Sequence, residues 1–197
     1  MPDNLIDNSV VERYAGLEGR DLIKSILRDY PGKTALVSSF GAESAVLLHM
    51  ISEVDPDLPV IFLDTGKLFQ ETLDYRDKLI VELGLTNVRS VKPEAFDILA
   101  HDATGLLHQS NTDACCYIRK TIPLEKALTE FDVVISGRKR FHGAARADLD
   151  YVSISDDRLK VEPLAGFSVL DIQSYMTSHH LPSHPLKLRG YRSIGCE

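Results

Sequence analysis

The sequence predicts an α/β fold: a mainly parallel, twisted sheet with helices on both faces. Three observations carry that expectation. Short apolar runs at residues 34–37, 59–63 and 132–136 have the length of buried parallel strands. Each ends in a small or polar turn, and segments of helical period separate them. The chain has 197 residues with 44% hydrophobic side chains, which suits one domain spanning 1–197 with a single real core.

Taken in order, residues 1–30 read as an amphipathic helix. Leu17, Leu22, Ile23, Ile26 and Leu27 recur at helical spacing, and Tyr30-Pro31-Gly32 stops the run. The strand at 34–37 turns through Ser38-Ser39-Phe40-Gly41-Ala42-Glu43 into a helix at 44–54. Asp55-Pro56-Asp57 breaks that helix. The strand at 59–63 ends in Asp64-Thr65-Gly66, a second turn expected to face a ligand or, more plainly, to be capped by Asp64. A helix follows at 69–83, closed by Gly84, then a strand at 88–91 and a helical stretch from Pro93 to Ala100. Residues 101–114 carry little periodicity, so they are expected to be functional or mobile. Thr112 or Asp113 is expected to cap one helix that carries Cys115 and Cys116 and runs on to Leu128. The strand at 132–136 opens into a basic loop, Gly137 to Arg146. A hairpin is expected at 151–154 and 159–161, and Ser168 caps a last helix to about His180.

The net charge is −7, which argues against nonspecific nucleic-acid binding. No apolar run approaches the ~18–20 residues of a membrane span. The first residues lack the basic flank and apolar segment of a secretory signal, so a cytoplasmic protein is expected. In that compartment three cysteines point away from disulfides and toward metal or redox work.

The stretch Ser38 to Ser44 is the first chemical feature. A strand that turns through small residues into a helix presents unpaired N–H groups at the positive end of the helix dipole, which suits phosphate. It is neither a Walker loop nor a three-glycine dinucleotide fingerprint, and an ordinary turn with a serine cap is the plain alternative. The basic set Arg119, Lys120, Arg138, Lys139, Arg140 and Arg146 is expected to converge on an anion, with one or two members merely solvated. His142 lies in the same loop, while His179-His180 decorate a helix end. The adjacent pair Cys115-Cys116 reads either as metal ligands or as two small buried side chains.

Several stretches together resemble one family. They are Ser38 to Glu43, Leu63-Asp64-Thr65-Gly66, Cys115-Cys116-Tyr117-Ile118-Arg119-Lys120, Gly137-Arg138-Lys139-Arg140 and Gly190-Tyr191-Arg192-Ser193-Ile194-Gly195-Cys196-Glu197. In this order they resemble assimilatory adenylyl-sulfate reductases, within the phosphoadenylyl-sulfate reductase family of the adenine nucleotide α-hydrolase (PP-loop) superfamily. The resemblance covers roughly residues 34–197.

It implies thioredoxin-dependent reduction of adenosine 5′-phosphosulfate to sulfite and AMP through a cysteine S-sulfonate. It also implies a 4Fe–4S cluster on Cys115, Cys116 and Cys196, and a homo-oligomer. Substrate contacts are implied at Ser38, Ser39, Phe40, Gly41, Ala42, Glu43, Ser44, Leu63, Asp64, Thr65, Gly66, Arg119, Lys120, Arg138, Lys139, Arg140, His142 and Arg146. Lys120 is expected to bridge cluster and substrate; its plain alternative is a surface ion pair with Glu125 or Glu43. The family's sulfonated cysteine and fourth cluster ligand have no counterpart here, so a chain lacking its catalytic tail is expected. Three alternatives stay open. One is a phosphoadenylyl-sulfate reductase, to whose loop Ser38-Ser39-Phe40-Gly41 is nearer. The others are an ATP pyrophosphatase-type adenylating enzyme and a noncatalytic nucleotide-binding protein.

Overall fold

The computed structural model describes residues 8–143, 146–191 and 194–196. Residues 1–7 of the expected first helix, Ala144 and Ala145 of the basic loop, and Arg192, Ser193 and Glu197 of the C-terminal motif lie outside them.

Six strands form one sheet: β1 (Thr34–Val37), β2 (Val60–Leu63), β3 (Val88–Val91), β4 (Val133–Ser136), β5 (Val152–Ser155) and β6 (Arg158–Val161). Their order is β3-β2-β1-β4-β6-β5, parallel throughout except for the β5/β6 hairpin. Asp156 and Asp157 close that hairpin with φ of 54° and 55°, the backbone hand that a tight hairpin turn requires.

The strands are apolar on both faces because helices cover both. Leu36, Val60, Phe62, Val133 and Ile135 pack on one side. Their partners are α2 (Gly19–Asp29), α3 (Ser44–Ser52), α4 (Gln70–Leu83) and α9 (Val169–Ser178). Their neighbours Ala35, Ile61 and Val134 point to the other side, against Leu128, Phe131 and α8 (Ile122–Ala127). This period-2 alternation gives the two layers.

Five expectations are corrected. The first helix is two, α1 (Asn8–Arg13) and α2, because the chain passes through Gly16 in a left-handed conformation, φ 81°. After α5 (Ala95–His101), the weakly periodic stretch 101–114 carries two short helices that its pattern did not signal, α6 (Leu107–Ser110) and the start of α7 (Thr112–Cys116). The cap of α7 is Asn111, whose Oδ1 accepts the Ala114 N–H at 3.0 Å, rather than Thr112 or Asp113. The cysteine helix is interrupted, since residues Tyr117–Thr121 form a π turn between α7 and α8. Ser168 caps α9 with a reciprocal bond to Asp171, but a further short helix, α10 (Pro185–Leu188), follows.

Candidate active site

The chain runs outward through β2 and β3 on one side of β1, then returns to β4 on the other. Strand order therefore reverses between β1 and β4, and the carboxyl ends of these neighbours open a crevice there. It is a cleft of about 660 Å³. Ser38, Ser39, Gly41, Ala42, Glu43 and Ser44 line one wall, and Ser136, Gly137, Arg138, Lys139, His142 and Arg146 line the other. Ile194 closes part of the rim.

The turn after β1 is held from within. Phe40 has φ 49°, a conformation that a bulky residue adopts at a cost of order 1–3 kcal/mol. Its ring is fully buried, edge-on to Phe62 at 5.4 Å, and its N–H donates to Ser38 Oγ at 3.2 Å. The core thus holds the backbone of this turn so that α3 starts at the cleft.

The cations of the far wall are largely matched already. Lys139 Nζ is buried, 2.9 Å from Glu43 Oε2 and 2.9 Å from the Gly137 carbonyl. His142 Nε2 lies 3.1 Å from the same Glu43 oxygen. Burial, then the Lys139 charge, push the His142 imidazole below its ordinary pKa, with Glu43 opposing them. Glu162, 1% exposed, accepts from Ser136 Oγ, from the Arg138 backbone N–H and from the Arg138 guanidinium. Arg146 has no carboxylate partner among the described residues.

A second group lies at the end of β2. Arg119 is buried, its guanidinium 2.6 Å from Asp102 Oδ2 and 2.8 Å from the Thr65 carbonyl. Hydrogen bonding from Arg119 holds the Asp102 carboxyl below the usual carboxylate range. The Thr65 hydroxyl is 3.3 Å from Cys196 Sγ, and Cys196 bridges to Leu68 as an antiparallel partner. All three cysteines are free thiols. Burial raises the Cys115 thiol, and the nearby charges of Cys116, Asp102 and Cys196 add to it while Arg119 opposes. The chemistry of this donor set fits three of the roughly four thiolates that an iron–sulfur cluster takes. Among the described residues, no three ligand-type side chains stand as a closed metal site.

The phosphoadenosine phosphosulfate reductase domain matches residues 33–197. The chain belongs to this family. An adenosine 5′-phosphosulfate reductase of Mesorhizobium japonicum is 46% identical over 96% of the chain and 78% of its own length. A phosphoadenosine 5′-phosphosulfate reductase of Alkalilimnicola ehrlichii is 34% identical over 95% and 78%. In fold, the chain is similar to the phosphoadenylyl-sulfate reductase of Candida auris. The TM-score is 0.82 at 22% identity, over 97% of this chain and 96% of that one. FMN adenylyltransferase of Candida glabrata shares the fold more distantly, with TM-score 0.61 and 16% identity over 88% and 59%.

The β1/β4 cleft gathers most of the expected contacts but not all. Phe40 turns its ring into the core. Leu63, Asp64, Thr65, Gly66, Arg119, Lys120 and Arg140 are not among the lining residues. Asp64 accepts the Gly66 N–H at 3.1 Å and meets Lys92 at 3.3 Å, so it shapes its own turn. Arg140 donates to the Leu149 carbonyl and lies over the Tyr151 ring at 5.1 Å, on the far side of its loop. Lys120 is half-buried, with no ion pair to Glu125 or Glu43. Glu162 and Asp102 were not anticipated as partners. The readable sign of Glu162 is an acid set between Val161 and Pro163-Leu164, where a carboxylate needs donors.

Proposed function

We propose that this chain is an adenylyl-sulfate reductase of sulfate assimilation, an oxidoreductase that takes adenosine 5′-phosphosulfate to sulfite and AMP. One observation carries the reading: the crevice where this family's domain reverses its strand order joins a helix N-terminus to Lys139, Arg138 and Arg146 in an acidic protein.

In this reading the turn 38–44 and the start of α3 hold the phosphosulfate oxygens, and the ends of β1 and β2 hold adenosine. A cysteine thiolate from outside residues 1–197 attacks the sulfate sulfur. The bond from that sulfur to the bridging oxygen breaks, and AMP leaves with the electron pair. Arg146 and Lys139 offset the charge that grows on the leaving phosphate. Thioredoxin then supplies two electrons: its dithiol is oxidised to a disulfide, the enzyme thiol is regenerated and sulfite departs. Lys120 positions the sulfonate. Cys115, Cys116 and Cys196 would hold a 4Fe–4S cluster together with a fourth thiolate from outside these residues; when bound it would supply local charge beside the substrate. A homo-oligomer in the cytoplasm goes with this reading.

The test is sulfite release by the full-length protein with reduced thioredoxin. The expected outcome is turnover of adenosine 5′-phosphosulfate in preference to its 3′-phosphorylated relative. Preference for the phosphorylated substrate supports the sister activity, which the loop Ser38-Ser39-Phe40-Gly41 favours. Pyrophosphate release from ATP without sulfite formation sinks both.

A further inference from the structure

Three permanent cations line the β1/β4 cleft, and ion pairs among the described residues set the position of two. Lys139 meets Glu43 at 2.9 Å, and Arg138 meets the buried Glu162. Arg146 has no carboxylate partner among the described residues, and it stands exposed in the loop between β4 and β5. Its direction therefore depends on the backbone that carries it. Two turns hold that backbone locally. The Arg146 N–H donates to the Gly143 carbonyl at 2.9 Å, and the Leu149 N–H donates to the Arg146 carbonyl at 3.1 Å.

Arg140 closes this loop from outside the cleft. Its backbone N–H donates to the Ala165 carbonyl at 3.0 Å, which fixes the start of the loop to the segment after β6. Its Nε–H donates to the Leu149 carbonyl at 2.9 Å, across nine residues of chain. Leu149 thus joins the Arg140 side chain to the Arg146 backbone. The guanidinium lies over the Tyr151 ring, 5.1 Å from its centre. That ring is itself pinned. Its hydroxyl donates to Glu18 Oε2 at 2.6 Å, and a Cβ on Gly166 would stand 2.1 Å from the same hydroxyl. Arg140 and Tyr151 are not among the lining residues of the cleft.

We propose that Arg140, seated on Tyr151, is a positioning residue that holds Arg146 toward the anion in the cleft. The proposal rests on the phosphosulfate reading above. An arginine on an unclosed loop loses backbone as well as side-chain freedom when an anion arrives, and that loss subtracts from affinity. Closure of the loop by Arg140 removes the backbone share before binding. A guanidinium suits this task because it donates through Nε while its flat face rests on a ring.

A double-variant cycle on the full-length protein tests the proposal, with AMP affinity by calorimetry as the readout. Arg140→Ala is expected to weaken AMP about three- to tenfold. Arg146→Ala is expected to weaken it about tenfold or more. In the Arg146→Ala background, Arg140→Ala is expected to change affinity by less than about twofold, because the residue it acts through is gone. Effects that multiply overturn the proposal, since Arg140 then acts on the anion without Arg146 or loosens the whole cleft. Wild-type affinity in either single variant overturns it as well. If Arg140→Ala does not fold, Tyr151→Leu takes its place in the same cycle with the same expected outcomes. A wild type that does not bind AMP defeats the functional reading and this inference with it. Binding with multiplying effects defeats the inference alone.

Discussion

Two groups of charge stand at the carboxyl ends of adjacent strands, and they are spent differently. Beside β1 and β4, the partners of Lys139, His142 and Arg138 stand at or behind the wall of an open cleft, and a ligand can compete for them. Beside β2, Arg119 is sealed in: its donors go to Asp102 and the Thr65 carbonyl, and Thr65 in turn holds Cys196. In the reading proposed above, the first region exchanges protein contacts for an anion. The second fixes the positions of three backbone segments: the turn after β2, the loop that starts α6, and the segment at Ile194–Cys196. A cation near a site is therefore not automatically a cation for the substrate; its burial and its partners decide.

The sharpest way to break this contrast is to remove Arg119. Arg119→Met leaves the Asp102 carboxylate buried without its ion partner, with the Leu107 N–H its one remaining donor among the described residues. Breaking a buried pair from one side costs about 3–5 kcal/mol. Urea unfolding of the variant is expected to show that loss. The double variant Arg119→Met with Asp102→Leu is expected to recover much of it, because two apolar residues leave no orphaned charge. A single variant within about 0.5 kcal/mol of wild type, as an ordinary surface change would be, returns Arg119 to the pool of substrate ligands.

The same contrast marks how far the sequence could be read. The strands, the turn at 38–44 and the basic loop were legible because each is a local pattern: an apolar run, a small-residue turn, a cluster of one charge. The reversal of strand order between β1 and β4 was not, since it depends on which strand β4 chooses as neighbour. That placed the second wall of the cleft at Ser136–Arg146 rather than at Asp64–Gly66. Arg119 and Arg140 read as anion ligands because composition reports a charge but not its partner. Asp102 lies 17 residues from Arg119 and Glu162 24 residues from Arg138, so each pairing is made by the fold. The π turn after Cys116 has no clear sequence sign; it carries both Arg119 and Lys120.

Lys120 belongs to neither group, which makes it the next test. It follows the cysteines in the π turn, half-buried and without an ion pair among the described residues. In the reading proposed above, this uncommitted lysine contacts the bound sulfonate. Lys120→Ala is expected to unfold like wild type, while single-turnover sulfonation of the full-length protein slows roughly 30- to 1,000-fold, or about 2–4 kcal/mol of transition-state stabilisation. Wild-type sulfonation removes Lys120 from the mechanism and leaves the β1/β4 wall to act alone.

The smallest effect separates the regions by pH. His142 faces Glu43, Lys139 and Arg146, and its ring stacks edge-on against Phe141 at 4.4 Å. Its pKa lies below the ordinary value of about 6.5, so the free cleft holds it neutral at pH 7. A phosphate seated beside it favours the imidazolium and raises that pKa. A group whose pKa rises on binding takes up a proton with the ligand, so affinity grows as pH falls toward the depressed value and levels off below it. The phosphate of AMP titrates near pH 6 and opposes the trend. The informative quantity is therefore the affinity of wild type relative to His142→Asn at each pH. That ratio is expected to rise by about two- to tenfold between pH 7.5 and pH 5.5, within the limit of tenfold per unit of pKa shift. A flat ratio means that His142 never faces the bound phosphate and serves only to hold Glu43.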